Sequence, residues 1–126
     1  MARVLLIGIE PEAVDTSDPD LPPGLTRETI AAGIETALRD MRQRGWQAEF
    51  CSILPDASAE ATIAASLSEP WDCIVIGAGI RVPGKGLALF ERVLNAVHRG
   101  AVGTPVAFNT SPTNTADAAS RWLDRT

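Results

Sequence analysis

The sequence predicts an α/β fold: one parallel four-stranded sheet with helices on both faces. Three observations predict it. Short apolar runs alternate along the chain with segments of helical periodicity, the pattern of repeated strand-helix units. Two of these runs, residues 4–9 (VLLIGI) and 72–76 (DCIVI), are apolar at nearly every position, as strands covered on both faces must be. The other two, residues 46–53 and 104–109, carry alternating polar residues or a proline, which suit the edges of a sheet.

The elements follow in order. After the strand at 4–9 comes a long connection over 10–25, with Pro11, Pro19, Pro22, Pro23 and Gly24 set among Glu10, Glu12, Asp15, Asp18 and Asp20. Connections of this length in a compact domain are more often lids than passive links. Thr26 is a suitable N-cap, and Ile30, Ile34, Leu38 and Met41 repeat at helical spacing until Gly45 stops the helix. In the second strand Gln47 and Glu49 alternate with Ala48 and Phe50. Pro55 and Asp56 then turn into a helix over 57–67 with Ile63 and Leu67 facing inward. The strand at 72–76 delivers a loop expected over 77–86, followed by a helix with the apolar stripe Leu87, Phe90, Val93, Leu94 and Val97. Residues 104–109 form the fourth strand. Asn114 or Thr115 is expected to cap a last helix carrying Ala116, Ala119 and Leu123.

Right-handed crossovers and the central placement of the two most apolar strands give the order 2-1-3-4. The result is a three-layer sandwich, Rossmann-like or flavodoxin-like but lacking strand five, in one domain over 1–126. A composition of 45% hydrophobic and 21% charged residues is close to the globular average, so the chain is expected to fold nearly end to end. Eleven basic against sixteen acidic residues, a net charge of -5, disfavour nucleic acid and anionic membrane surfaces as partners. The first apolar run is too short for a signal-peptide core, and a cytoplasmic location is expected. Cys51 and Cys73 have no C-x-x-C spacing, so reduced thiols are expected. With strand one between their strands, they lie about 10 Å apart, beyond the reach of a disulfide.

The strand order reverses between strands one and three, so the loops after them should flank one crevice, the place where open α/β sheets bind ligands. The candidate ligand-binding residues are Glu10, Asp15 and Asp18 from the first loop, Gly77, Gly79, Arg81 and Lys85 from the second, and Asn109, Thr110 and Ser111 after strand four. Residues 79–86 (GIRVPGKG) match the phosphate-loop pattern G-x-x-x-x-G-K-[ST] except at the last place, where Gly86 removes the hydroxyl that holds Mg²⁺. Convergent backbone N–H groups and Lys85 still suit a looser anion-binding role; the plainer reading is a glycine-rich turn with solvated charges.

Other chemistries are disfavoured. G-x-G-x-x-G is absent, since Val82 stands where the third glycine belongs, which argues against a dinucleotide. The first loop is acidic and proline-rich and would repel a flavin phosphate. Gly77 and Asn109 stand where a receiver domain needs its phosphorylatable Asp and its Lys. Asp15, Asp18 and Asp20 match no calcium-loop spacing and are expected as a solvated acidic lid. His98, the single histidine, falls at the end of a helix opposite the crevice, where it suits the helix dipole. No triad assembles at the crevice, and no catalytic residue, metal or cofactor is assigned.

Asp15-Thr16-Ser17-Asp18-Pro19, Pro22-Pro23-Gly24-Leu25-Thr26, the run from Asp72 to Gly79, Phe90-Glu91-Arg92 and Asn109-Thr110-Ser111-Pro112 resemble a family of short, single-domain bacterial hypothetical proteins. The resemblance covers nearly the whole chain. It implies a Rossmann-like or flavodoxin-like fold and no activity. The expected function is binding of a small, anionic metabolite or cofactor at the crevice, Arg81 reaching over the rim as main contact and Lys85 as second. The alternative is a non-catalytic interaction module, and a homodimer through the open edge of strand four is expected with either.

Overall fold

A computed structural model of the chain describes residues 1–81 and 86–123. Strands β1 (Arg3–Ile9), β2 (Gln47–Ile53), β3 (Cys73–Ile76) and β4 (Val106–Phe108) form one parallel sheet in the order β2-β1-β3-β4. This is the order that the two-sided apolarity of the first and third runs predicts. Helices α1 (Arg27–Gln43), α2 (Ala59–Ser66), α3 (Ala78–Arg81), α4 (Leu87–Gly100) and α5 (Thr115–Leu123) pack around it. Among the described residues no helix is long and apolar enough to cross a membrane.

Side-chain alternation along the central strands divides the core into two layers. Val4, Leu6, Cys73 and Val75 face Ala37, Leu38 and Met41 of α1 and Ala116, Ala118 and Ala119 of α5. Leu5, Ile7, Ile74 and Ile76 face Ile63 of α2 and Val93 and Val97 of α4. Every residue of β3 is buried, and each of these apolar side chains stabilises the fold by roughly 1.5–3 kcal/mol on burial. The small residues of α5 let it approach the sheet closely.

Local chemistry sets the helix ends. Thr26 Oγ1 accepts the Thr29 N–H at 3.1 Å, and Thr29 Oγ1 accepts the Thr26 N–H at 2.9 Å, a reciprocal cap that starts α1. Gly45 takes a φ of 89° just beyond the helix, a conformation that favours glycine. At the amino rim of the sheet Arg3 joins three segments. Its Nε donates to Gln47 Oε1 at 3.0 Å and its Nη1 to the Pro70 carbonyl at 2.7 Å, while its guanidinium lies 4.4 Å from the Trp71 ring centroid.

Three elements differ from the sequence expectation. The fourth strand is three residues long rather than six, because the Thr104 N–H turns back to the Ala101 carbonyl at 3.1 Å. The loop expected over 77–86 begins with a helical turn, α3, in which the Ile80 N–H donates to the Gly77 carbonyl at 3.1 Å. The capping residue before α5 is Ser111, which starts a 3-10 turn (Pro112–Asn114) that runs directly into the helix. Thr115 is not a cap; its hydroxyl donates to the Pro112 carbonyl at 2.9 Å.

Cys51 and Cys73 are free and buried, with β1 between their strands. They also face opposite core layers, a second bar to a bridge. Burial pushes the Cys73 thiol up to about 11 and raises that of Cys51 against a weaker lowering effect of Ser66. At pH 8 Cys73 is then thiolate in about one molecule in a thousand. Native protein should therefore react slowly with a thiol reagent and yield two free thiols on unfolding; a finding of none in unoxidised protein would contradict the observed strand order.

Candidate functional site

The sheet order turns between β1 and β3, and the connections after β1, β3 and β4 meet at the carboxyl ends of the strands, the rim at which open α/β sheets bind ligands. β3 delivers Gly77, whose N–H continues the ladder to the Ile7 carbonyl at 2.9 Å. A Cβ added at Gly77 would stand 3.2 Å from that carbonyl oxygen, so a larger residue would press on the end of β1. Gly79, one turn on, is exposed, with nothing within 4 Å of its own added Cβ. Arg81 then closes α3.

Asn109 is the organising side chain of this rim. It ends the apolar β4 and is only 5% exposed, so its amide must find partners inside the protein. Its Oδ1 accepts the Ala78 N–H at 2.8 Å, and its Nδ2 donates to Thr115 Oγ1 at 2.8 Å. The β3-α3 turn, β4 and the start of α5 are thereby tied together. Its backbone carbonyl also accepts from Arg81 Nη2 at 2.6 Å.

Arg81 does not simply reach over the rim, as its place in the sequence suggests. It is half-buried, folded back onto the Asn109 carbonyl with its guanidinium 5.6 Å from the Phe108 ring centroid. Phe108 in turn meets Phe90 of α4 edge to face, ring centroids 5.9 Å apart. Within this packing Arg81 Nε is buried without a hydrogen-bond partner among the described residues. A buried donor left unpaired costs about 1–3 kcal/mol, and more when charged.

The other sequence-predicted residues divide between local and shared roles. Glu10 lies at the end of β1, where its carboxylate accepts from Ser52 Oγ of β2 at 2.7 Å and its N–H donates to the Ile53 carbonyl. In the acidic connection Asp15 Oδ1 accepts the Ser17 N–H at 3.0 Å, and Asp18 Oδ1 accepts the Asp20 N–H at 2.9 Å. Asp18 is 8% exposed, so the connection is not the wholly solvated lid that its composition suggests. The Thr110 and Ser111 N–H groups both donate to Asn114 Oδ1, at 3.1 and 3.2 Å, folding that turn on itself. Gly77, Arg81, Asn109, Thr110 and Ser111 thus come together; Lys85, and with it half of the phosphate-loop-like stretch, lies outside the described residues.

Sequence reasoning missed Phe108 as part of this rim, and it placed Thr115 near the rim but favoured turn and N-cap chemistry for it. Thr115 sits where an N-cap reading is natural, and only a polar residue with no exposed surface gives its role away. No protein-family model matches the chain, and no curated protein does. Among the described residues no group of acidic, histidine or cysteine side chains could hold a metal ion.

A shallow groove between α2 and α4 is built differently. Arg92 Nε donates to Glu60 Oε2 at 2.7 Å, and its Nη2 reaches both Glu60 Oε1 and the Asp56 carbonyl. These charges are used in joining the two helices. The Arg92 hydrogen bond and charge hold Glu60 down at about 2, against an ordinary 4.5. A depressed carboxylate contributes stability that is complete above 4.5 and is lost as pH falls toward 2. A carboxyl carbon titration should place the Glu60 midpoint near about 2, and Arg92→Ala should return it toward 4.5; a wild-type midpoint already at 4.5 would show that the pair does not persist in solution.

The Asn109 amide gives a stronger test of the rim. Asn109→Leu keeps the volume but leaves the Ala78 N–H without its acceptor and Thr115 without its donor, so a loss of about 1–3 kcal/mol is expected in denaturant unfolding. A variant as stable as wild type would mean that the amide is not a structural tie.

Proposed function

We propose that this chain binds a small anionic metabolite or cofactor at the crevice beyond the carboxyl ends of β1 and β3, with Arg81 as the principal contact. The observation that supports this reading is Arg81 Nε, a donor of a charged group buried at the rim with no acceptor among the described residues. The Asn109 carbonyl and the Phe108 ring hold the guanidinium in one place, so little side-chain entropy would be lost on binding. An anion supplying an oxygen to the open side of the guanidinium would gain a charge-assisted bond and offset the cost of a group whose Nε is left unpaired. Glu10, Asp15 and Asp18 bring negative charge to the loop after β1 and would disfavour the most highly charged ligands, while Lys85 would add a second cation. The protein would act in the cytoplasm, with neither nucleic acid nor membrane as partner, in keeping with its net charge of -5.

The second reading is a non-catalytic interaction or dimerisation module. It draws on the short outer strand β4, which among the described residues has a neighbouring strand on one side only. The two readings are compatible, because β4 contributes its end to the crevice and its flank to the edge.

A thermal-shift screen of inorganic phosphate, sulfate, small carboxylates and phosphorylated metabolites should find anions that raise the melting temperature. For the best of them Arg81→Ala should weaken binding about tenfold to a hundredfold, the worth of one charged hydrogen bond, with the circular dichroism spectrum unchanged. Unchanged affinity in a folded variant, or no stabilising anion in the screen, would remove the anion site.

A further inference from the structure

The register of β4 carries more than the observation that it is an edge. Ile74 pairs with Val106, and its N–H donates to the Pro105 carbonyl at 3.0 Å. In a parallel ladder such a residue bonds to the two neighbours of its partner, so the N–H and C=O of Val106 point away from β3. Two residues on, those of Phe108 do the same. Arg121 of α5 agrees with this direction, since its Nη2 donates to the Phe108 carbonyl at 3.1 Å from outside the sheet. Among the described residues the Val106 N–H, the Val106 carbonyl and the Phe108 N–H meet no hydrogen-bond partner.

Beside this edge lies a groove of about 380 Å³ between β4 and the second half of α4, whose lining includes Leu94, Val97, His98, Ala101, Thr104 and Val106. Val106, Phe108 and Leu94 are only partly buried there, on the α4 face of the sheet. Three residues of open strand would give a lone peptide few hydrogen bonds and little area. A second copy of this chain would bring its own α4 alongside.

We infer that β4 pairs antiparallel with β4 of a second copy about a two-fold axis through Ala107, joining the two sheets into one of eight strands. In this register the N–H and C=O of Val106 exchange bonds with those of Phe108 of the partner subunit, and the symmetric pair does the same. All the outward groups of both residues are then used, with Arg121 giving up the Phe108 carbonyl. An axis at Val106 or at Phe108 would leave part of the set unpaired. The axis pair is of the non-hydrogen-bonded kind, in which the two Cα atoms come within about 4.5 Å, and Ala107 is small enough for that approach. A two-fold perpendicular to the sheet keeps the α4 faces on the same side, so Val106 and Phe108 pack across strands and the two α4 helices meet through Leu94. This inference rests on the edge alone and is independent of the anion site.

Light scattering should give twice the chain mass of 13.3 kDa at about 100 μM. Hydrogen exchange on the same protein should find the Val106 and Phe108 amides protected, and a hundredfold dilution should speed their exchange about tenfold, as mass action requires of a dimer exchanging through its monomer. Val106→Pro removes an N–H that the monomer does not use and should weaken association at least tenfold. A monomer at every concentration, a dimer whose Val106 and Phe108 amides exchange freely, or a folded Val106→Pro protein that dimerises as wild type would each overturn the inference. Should the variant fail to fold, the exchange of the wild-type amides decides alone.

Discussion

The structure depends on two adjacent parallel strands that have no polar face. β1 and β3 are buried on both sides, and a strand in that position can be solvated by nothing but other apolar side chains. That condition requires helices above and below the sheet. It fixes α1 and α5 on one face and α2 and α4 on the other, and it leaves the outer positions to the two strands that tolerate water. The parting of the loops at the carboxyl rim is a consequence of the same constraint, because the connections from β1 and β3 leave their carboxyl ends toward opposite faces.

Polar groups at that rim are placed by the need to satisfy one buried amide. Asn109 stands at the end of an apolar strand, and folding leaves it almost without contact with water. Its two hydrogen bonds stitch α3 and α5 to the sheet, and its carbonyl anchors Arg81. The site is therefore a by-product of fold closure as much as a feature added to it. Arg3, Arg44 and Arg92 each hold a carboxylate, and Arg42 and Arg121, like Arg81, donate to a backbone carbonyl. What sets Arg81 apart is a buried nitrogen that has no hydrogen-bond partner among the described residues.

The opposite flank of the same strand obeys a different rule. An edge strand is a template for pairing unless something blunts it, and β4 is blunted by its shortness, by Pro105 at its start and by one arginine on one carbonyl. A fifth strand would have used the same groups. With no such strand among the described residues, α4 retains a half-covered apolar flank that a longer sheet would have packed.

The sequence by itself determined the alternation of elements, the strand order and which connections meet at the carboxyl rim of the sheet, because these follow from which runs are apolar on both faces and from the handedness of the connections. It was also sufficient for the α1 cap at Thr26 and for the separation of the two cysteines, since both depend on residues near one another or on the count of strands between them. The candidate rim was legible as a set of loops, with Gly77, Arg81 and Asn109 among the residues that meet there. What those side chains do was decided only by tertiary structure. Whether Asn109 faces a ligand or an inner N–H, whether Arg81 reaches out or folds onto Phe108, and whether Asp18 is solvated depend on hydrogen bonds between groups as many as 31 residues apart in sequence. Periodicity carries no information about such partners. The direction in which Val106 and Phe108 present their backbone groups was likewise settled by register, which a three-residue strand acquires from its neighbour rather than from its own residues.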